Sequence, residues 1–180
     1  MTETSSSDRL ETIFCDHYEA VLAYARRRAP AAVADDVAAE TFAIAWRKAE
    51  QIPPEPLPWL LGVARRVLST HRRSAQRRIR LRERLAQTAE PNMPTEMVDT
   101  RLGEALNRLS ERDREALLLV AWEGLAPREA AAVVGLTQTG FSVRIHRARR
   151  RLRAALERDD TTASAATAPD RSSIAKGEAR

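Results

Sequence analysis

The sequence predicts an all-α chain: two small helical modules joined by a flexible linker, the second a helix-turn-helix domain. Three observations carry this. Apolar residues recur at helical spacing along nearly every patterned stretch, and no alternating strand pattern occurs. Ala86 to Asp99, with two prolines, Asn and Thr and no periodicity, divides the chain in two. The basic charge gathers in two places, one on each side of that break.

Met1 to Asp8 is polar and acidic and reads as a disordered N-terminus (residues 1–8), with no apolar stretch resembling a signal peptide. Leu10, Ile13, Phe14, His17, Tyr18, Val21, Leu22 and Ala25 form one stripe of a first helix, closed at Pro30. A second helix is expected from about Ala34 to Lys48. Asp35 and Asp36 fall in its first turn and Arg47 and Lys48 in its last, matching the helix dipole. Its inner stripe reads as Val37, Thr41, Phe42, Ala45 and Trp46. Gln51 to Pro58 holds four prolines and reads as a stiff loop. A third helix, with Trp59 expected in the core, runs from there to about Leu85 and completes a first module over 9–85.

Residues 86–99 form the linker, which extends to about 45–50 Å, longer than one DNA turn of about 34 Å. The second module covers 100–158. Leu102, Leu106 and Leu109 mark one helix; Ser110 with Asp113 resembles a capping box at the start of the next. That helix carries Leu117, Leu118, Val120, Ala121 and Trp122 and stops at Gly124. Pro127 opens a short helix that Gly135 ends, and Thr137 caps a long last one. The Thr-, Ala- and Ser-rich tail, 159–180, reads as disordered.

Among 180 residues are 30 Lys+Arg and 25 Asp+Glu, for a net charge of +5; all but Lys48 and Lys176 of the basic residues are arginine. The net value hides a segregation. Arg65 to Arg84 holds nine arginines and one acid, Arg144 to Arg153 six arginines and none, so the remainder is acidic. Two cationic helices on an acidic body suit a polyanion. One cysteine, Cys15, excludes a disulfide framework, and three scattered histidines suggest no metal. No glycine-rich phosphate motif, nucleophile–base pair or catalytic carboxylate pair is present, so no cofactor and no enzymatic role are expected. No apolar run is long enough to span a membrane, and the expected setting is intracellular.

In the helix-turn-helix, Phe141, Ile145, Ala148 and Leu152 should pack on Ala130, Val133, Val134 and Leu117. The opposite side presents Thr139, Val143, His146 and Arg150, flanked by Gln138, Ser142 and Arg147. Side chains near that helix's N-terminus would reach base edges in a major groove; Arg147, Arg149, Arg150, Arg151 and Arg153 would hold phosphates. Arg65, Arg66, Arg72, Arg73 and Arg77 could track a second stretch of DNA backbone. Asp36 and Glu40, four apart, share a face that repels DNA and must meet water or a basic protein.

Asp35-Asp36-Val37-Ala38-Ala39-Glu40-Thr41-Phe42-Ala43-Ile44-Ala45-Trp46-Arg47 resembles the D-L-x-Q-E-T-F-x-x-A-W-R helix of bacterial extracytoplasmic-function (group 4) RNA polymerase sigma factors. Trp59 to Leu68 is similar to the family's W-L-x-x-I-A-R-N helix, and Leu109 to Arg114 through His146 to Arg149 to its promoter-reading module. The resemblance implies that Asp36, Glu40 and Thr41 bind core polymerase, chiefly the β′ coiled coil. It implies that Arg65, Arg66, Arg72, Arg73 and Arg77 serve the −10 element. Gln138, Thr139, Ser142, Val143, His146, Arg147 and Arg150 would then serve the −35 element. Promoter DNA, core polymerase and an anti-sigma factor are the implied partners, and the bacterial cytoplasm the implied location. The sequence departs from the family at Ala39, Arg66, Thr70 and Gly140. The alternative reading is a dimeric helix-turn-helix regulator that binds an operator by itself.

Overall fold

The computed structural model describes residues 2–83 and 100–166, which form seven α-helices and one 3₁₀ turn with no strand among the described residues. The helices are α1 (Thr2–Arg26), α2 (Ala31–Arg47), α3 (Pro56–Glu83), α4 (Thr100–Asn107), α5 (Glu111–Ala121), α6 (Pro127–Val134) and α7 (Gln138–Ala166). The expected all-α class is the observed one. The expected linker and the end of the expected tail lie outside the described residues.

Several boundaries differ from expectation, each for a local reason. Residues 2–8, expected to be disordered, are helical. Arg9 donates to the carbonyls of Ile52 (2.8 Å) and Pro53 (3.2 Å), and so ties the beginning of α1 to the loop before α3. The carbonyl of Pro30 accepts from the Ala34 amide at 2.9 Å, so α2 starts at Ala31. Asp35 and Asp36 therefore sit one turn in, where the dipole acts on them less. Pro56 and Pro58 are inside the first turn of α3, because the amides they lack there have no helical partner anyway. At the other end α7 runs eight residues past 158, since extending a formed helix adds one bond per residue fixed.

α1, α2 and α3 pack on one another around Val21, Tyr24, Val37, Leu60 and Leu61. α4, α5 and α6 pack against α7 around Leu119, Ala130, Phe141 and Ile145. The two modules also meet each other. α3 lies on α6, where Gly62 lets the backbones approach: a Cβ there would stand 3.9 Å from the Val133 Cα. Val133 thus serves both the inside of its own module and the seam between the two.

Candidate nucleic-acid and polymerase interfaces

The turn before α7 is built from local chemistry. Gly135 closes α6 at φ 70°, ψ 38°, a left-handed conformation that glycine adopts without a Cβ clash. Thr137 then accepts the Gly140 amide on its Oγ1 at 3.1 Å, and Glu129 accepts the Ala126 amide at 2.7 Å, so both helices of the motif are capped. Phe141, Ile145 and Ala148 are buried and Leu152 half-buried, as their spacing predicts. Gln138, Thr139, Ser142, Val143, His146, Arg147 and Arg150 are all exposed. The motif thus holds all seven on the outer face of one helix. Val143, at 46% exposed, adds an apolar contact suited to a thymine methyl. Arg151 is a correction: it turns back to pair with buried Asp113. That pairing also takes Asp113 out of the expected capping box, leaving Ser110 to accept the Asp113 amide at 3.2 Å.

On α2, Asp36 and Glu40 are exposed one turn apart, and Glu40 lies 3.3 Å from His71 Nε2 of α3. Thr41 lies where the inner stripe of α2 places it, leaving no outward surface for the polymerase contact the resemblance implies. It is fully buried and its hydroxyl donates to the Val37 carbonyl at 2.7 Å, so it shapes the helix and presents nothing outward. Trp46, expected inside, is 63% exposed. The signal was available: Trp46 follows Val37 by nine residues, half a turn off its face. With Leu10, Ile13, Phe14, Phe42 and Ala45 it lines an open apolar cavity of about 310 Å³ between α1 and α2.

On α3, Arg65, Arg66, Arg73 and Arg77 are exposed, while Trp59 is half-buried against the core. Arg72 is committed elsewhere. It pairs with Glu111 of α5 and donates to the Arg28 carbonyl at 3.1 Å. The pairing belongs to a wider set of contacts that sequence reading missed. Arg28 is 6% exposed; its Nε donates to Glu115 (2.8 Å) and its Nη1 to Glu123 (2.9 Å), both on the second module. Its guanidinium lies 3.7 Å from the centre of the Tyr24 ring, whose hydroxyl donates to Glu115 at 2.8 Å. Arg27 also pairs with Glu123. Burial opposes the Arg28 charge, but Glu115, Tyr24 and Glu123 outweigh it and hold the group more firmly protonated than usual. Burial pushes the Tyr24 phenol far above its ordinary value. These partners are about ninety residues apart in sequence, and no local pattern announces them.

Among the described residues no group of side chains could hold a metal ion, and no helix is long and apolar enough to cross a membrane. Residues 13–78 match the family model for sigma-70 region 2, and residues 99–152 that for sigma-70 region 4. The RNA polymerase sigma factor NccH of Alcaligenes xylosoxydans xylosoxydans is 30% identical over 140 residues, covering 71% of this chain and 75% of that relative. The chain belongs to the sigma-70 family of RNA polymerase sigma factors.

This sigma factor is also 28% identical over 161 residues to the ECF RNA polymerase sigma factor SigL of Mycobacterium tuberculosis, 82% of this chain and 89% of that one. A relative from Xanthomonas campestris pv. campestris, named "Probable RNA polymerase sigma factor RfaY", is 31% identical over 145 residues, 73% of this chain but only 36% of its own length. Among solved structures, CnrH in complex with the cytosolic domain of CnrY is similar at a TM-score of 0.61 and 28% identity, covering 85% of this chain and 90% of that one. The sigma factor RpoE from Bartonella quintana, solved with the anti-sigma factor NepR, shares the fold at a TM-score of 0.63 and 24% identity, covering 82% and 96%.

Proposed function

We propose that this chain is a promoter-specificity subunit of the group 4 class, acting in the bacterial cytoplasm on core RNA polymerase. Its first module (9–85) docks on the polymerase β′ coiled coil through Asp36 and Glu40. Arg65, Arg66, Arg73 and Arg77 of α3 follow the DNA at the −10 element, and Arg72 joins them once released from Glu111. The second module (100–158) reads the −35 duplex with Gln138, Thr139, Ser142, Val143, His146, Arg147 and Arg150. The linker at 86–99 allows the two contacts to be made together. The observation that carries this reading is the outer face of α7: seven exposed side chains on a capped helix after a tight turn.

An anti-sigma factor is the regulator this reading expects, as the resemblance to the extracytoplasmic-function sigma factors implies. Run-off transcription with core polymerase over a genomic fragment library tests the proposal. Discrete start sites that require this chain are expected. A chain that gives none, yet shifts a palindromic operator unaided, is instead a dimeric regulator. A narrower check concerns Arg147→Ala and Arg150→Ala. Each should weaken promoter binding by the holoenzyme and lower the slope of log affinity against log salt by about 1.

A further inference from the structure

A cavity of about 640 Å³ opens between α1, α3 and α5, across the seam of the two modules. That is the size of a small-molecule site. Six arginines line it, Arg28, Arg65, Arg66, Arg72, Arg73 and Arg112, against two glutamates, Glu111 and Glu115. Both glutamates are engaged, Glu115 by Tyr24 and Arg28, Glu111 by Arg72. Arg65, Arg66, Arg73 and Arg112 face the cavity with no ion pair to a described carboxylate; Arg73 finds only the Ser69 carbonyl and hydroxyl, each at 3.2 Å. Arg28, almost wholly buried in the same wall, leaves its Nη2 without a hydrogen-bond partner. Like charges gathered in a concavity repel unless an anion sits among them.

We propose that this cavity binds a compact phosphate anion, a di- or triphosphate group, between Arg65, Arg66 and Arg73 of the first module and Arg112 of the second. Guanidinium groups recognise phosphate by paired charge-assisted hydrogen bonds, and a ligand drawing on both modules holds them closed. The inference rests on the proposed −10 role of α3: a phosphate on Arg65, Arg66 and Arg73 takes up groups meant for DNA, so the anion regulates promoter opening. Arg112 separates this from plain DNA binding, because it belongs to neither DNA-contacting set.

The test is titration calorimetry of the full chain with inorganic triphosphate at fixed ionic strength, with sulfate as control. Saturable one-to-one binding is expected, tighter than sulfate and weakened about tenfold or more by Arg112→Ala, the loss of a charge-assisted bond. Dyes on exposed Cys15 and on an exposed Ala154→Cys position report closure; triphosphate should preserve it at salt levels that otherwise part the modules. Absence of saturable heat, or an Arg112→Ala chain that binds as well as the parent, overturns the proposal. Run-off transcription without triphosphate is scored separately. Success there with no anion binding removes only this inference; Arg112-dependent anion binding with no run-off removes the −10 role instead.

Discussion

Glu40 stands on the acidic face with the His71 ring 3.3 Å away. Its charge is half exposed and contributes little to folding, so Glu40→Lys should leave the melting temperature unchanged. The same change should cost several-fold in affinity for core polymerase, measured by competition against the unmodified chain. Tyr24 behaves differently. Its phenol ordinarily titrates near 10, and burial raises that value in the fold. The folded chain therefore keeps a proton that the unfolded chain releases, and the stabilisation is complete below about pH 10 and lost as pH climbs beyond it. Tyr24→Phe should flatten this alkaline decline in a thermal melt series while losing about 1 kcal/mol at neutral pH with the Glu115 hydrogen bond.

The start of α7 shows how an element can be tuned by two residues acting together. Thr137→Ala removes the cap and should cost about 1 kcal/mol. Gly140 reads from sequence as a helix-weakening choice worth about 1 kcal/mol against Ala, but its amide is the donor to that cap. A Cβ there would lie 3.1 Å from Thr137 Oγ1, tighter than normal contact. Gly140→Ala alone should therefore yield no stability, yet stabilise the chain once Thr137 is Ala. Denaturant melts of the double-mutant cycle check this non-additivity. The inner stripe of α7 was legible beforehand, because Phe141, Ile145 and Ala148 obey the 3.6-residue period and carry most of the burial. Helix ends were less legible. They depend on carbonyls and prolines finding distant partners, as Arg9 does at Ile52. Thr41's burial was legible in its place on the inner stripe of α2, whereas the family motif alone leaves open whether a given residue faces in or out.

At the scale of the whole molecule, the division into two modules could be read from composition, but their contact could not. Tyr24, Arg27 and Arg28 meet Glu115 and Glu123 only after both modules have folded, and Arg72 meets Glu111 in the same way. Removing Arg28 leaves Glu115 and Glu123 without their buried cation, which is far costlier than losing an exposed pair. Separation of the modules relieves that cost by letting water reach both carboxylates. Arg28→Ala should accordingly enlarge the radius of gyration in small-angle scattering while circular dichroism reports the same helix content. A chain that stays compact would mean that the α3–α6 contact, with Arg27–Glu123 and Arg72–Glu111, holds the seam without Arg28.

The seam has a consequence for how a free copy would search DNA. On the proposed DNA role of α3, the Arg72–Glu111 pair leaves an unattached copy one cation short for neutralising phosphates, and so with a weaker non-specific grip on DNA. Idle copies then spend less time sliding on irrelevant sequence and more time free to find an enzyme to ride.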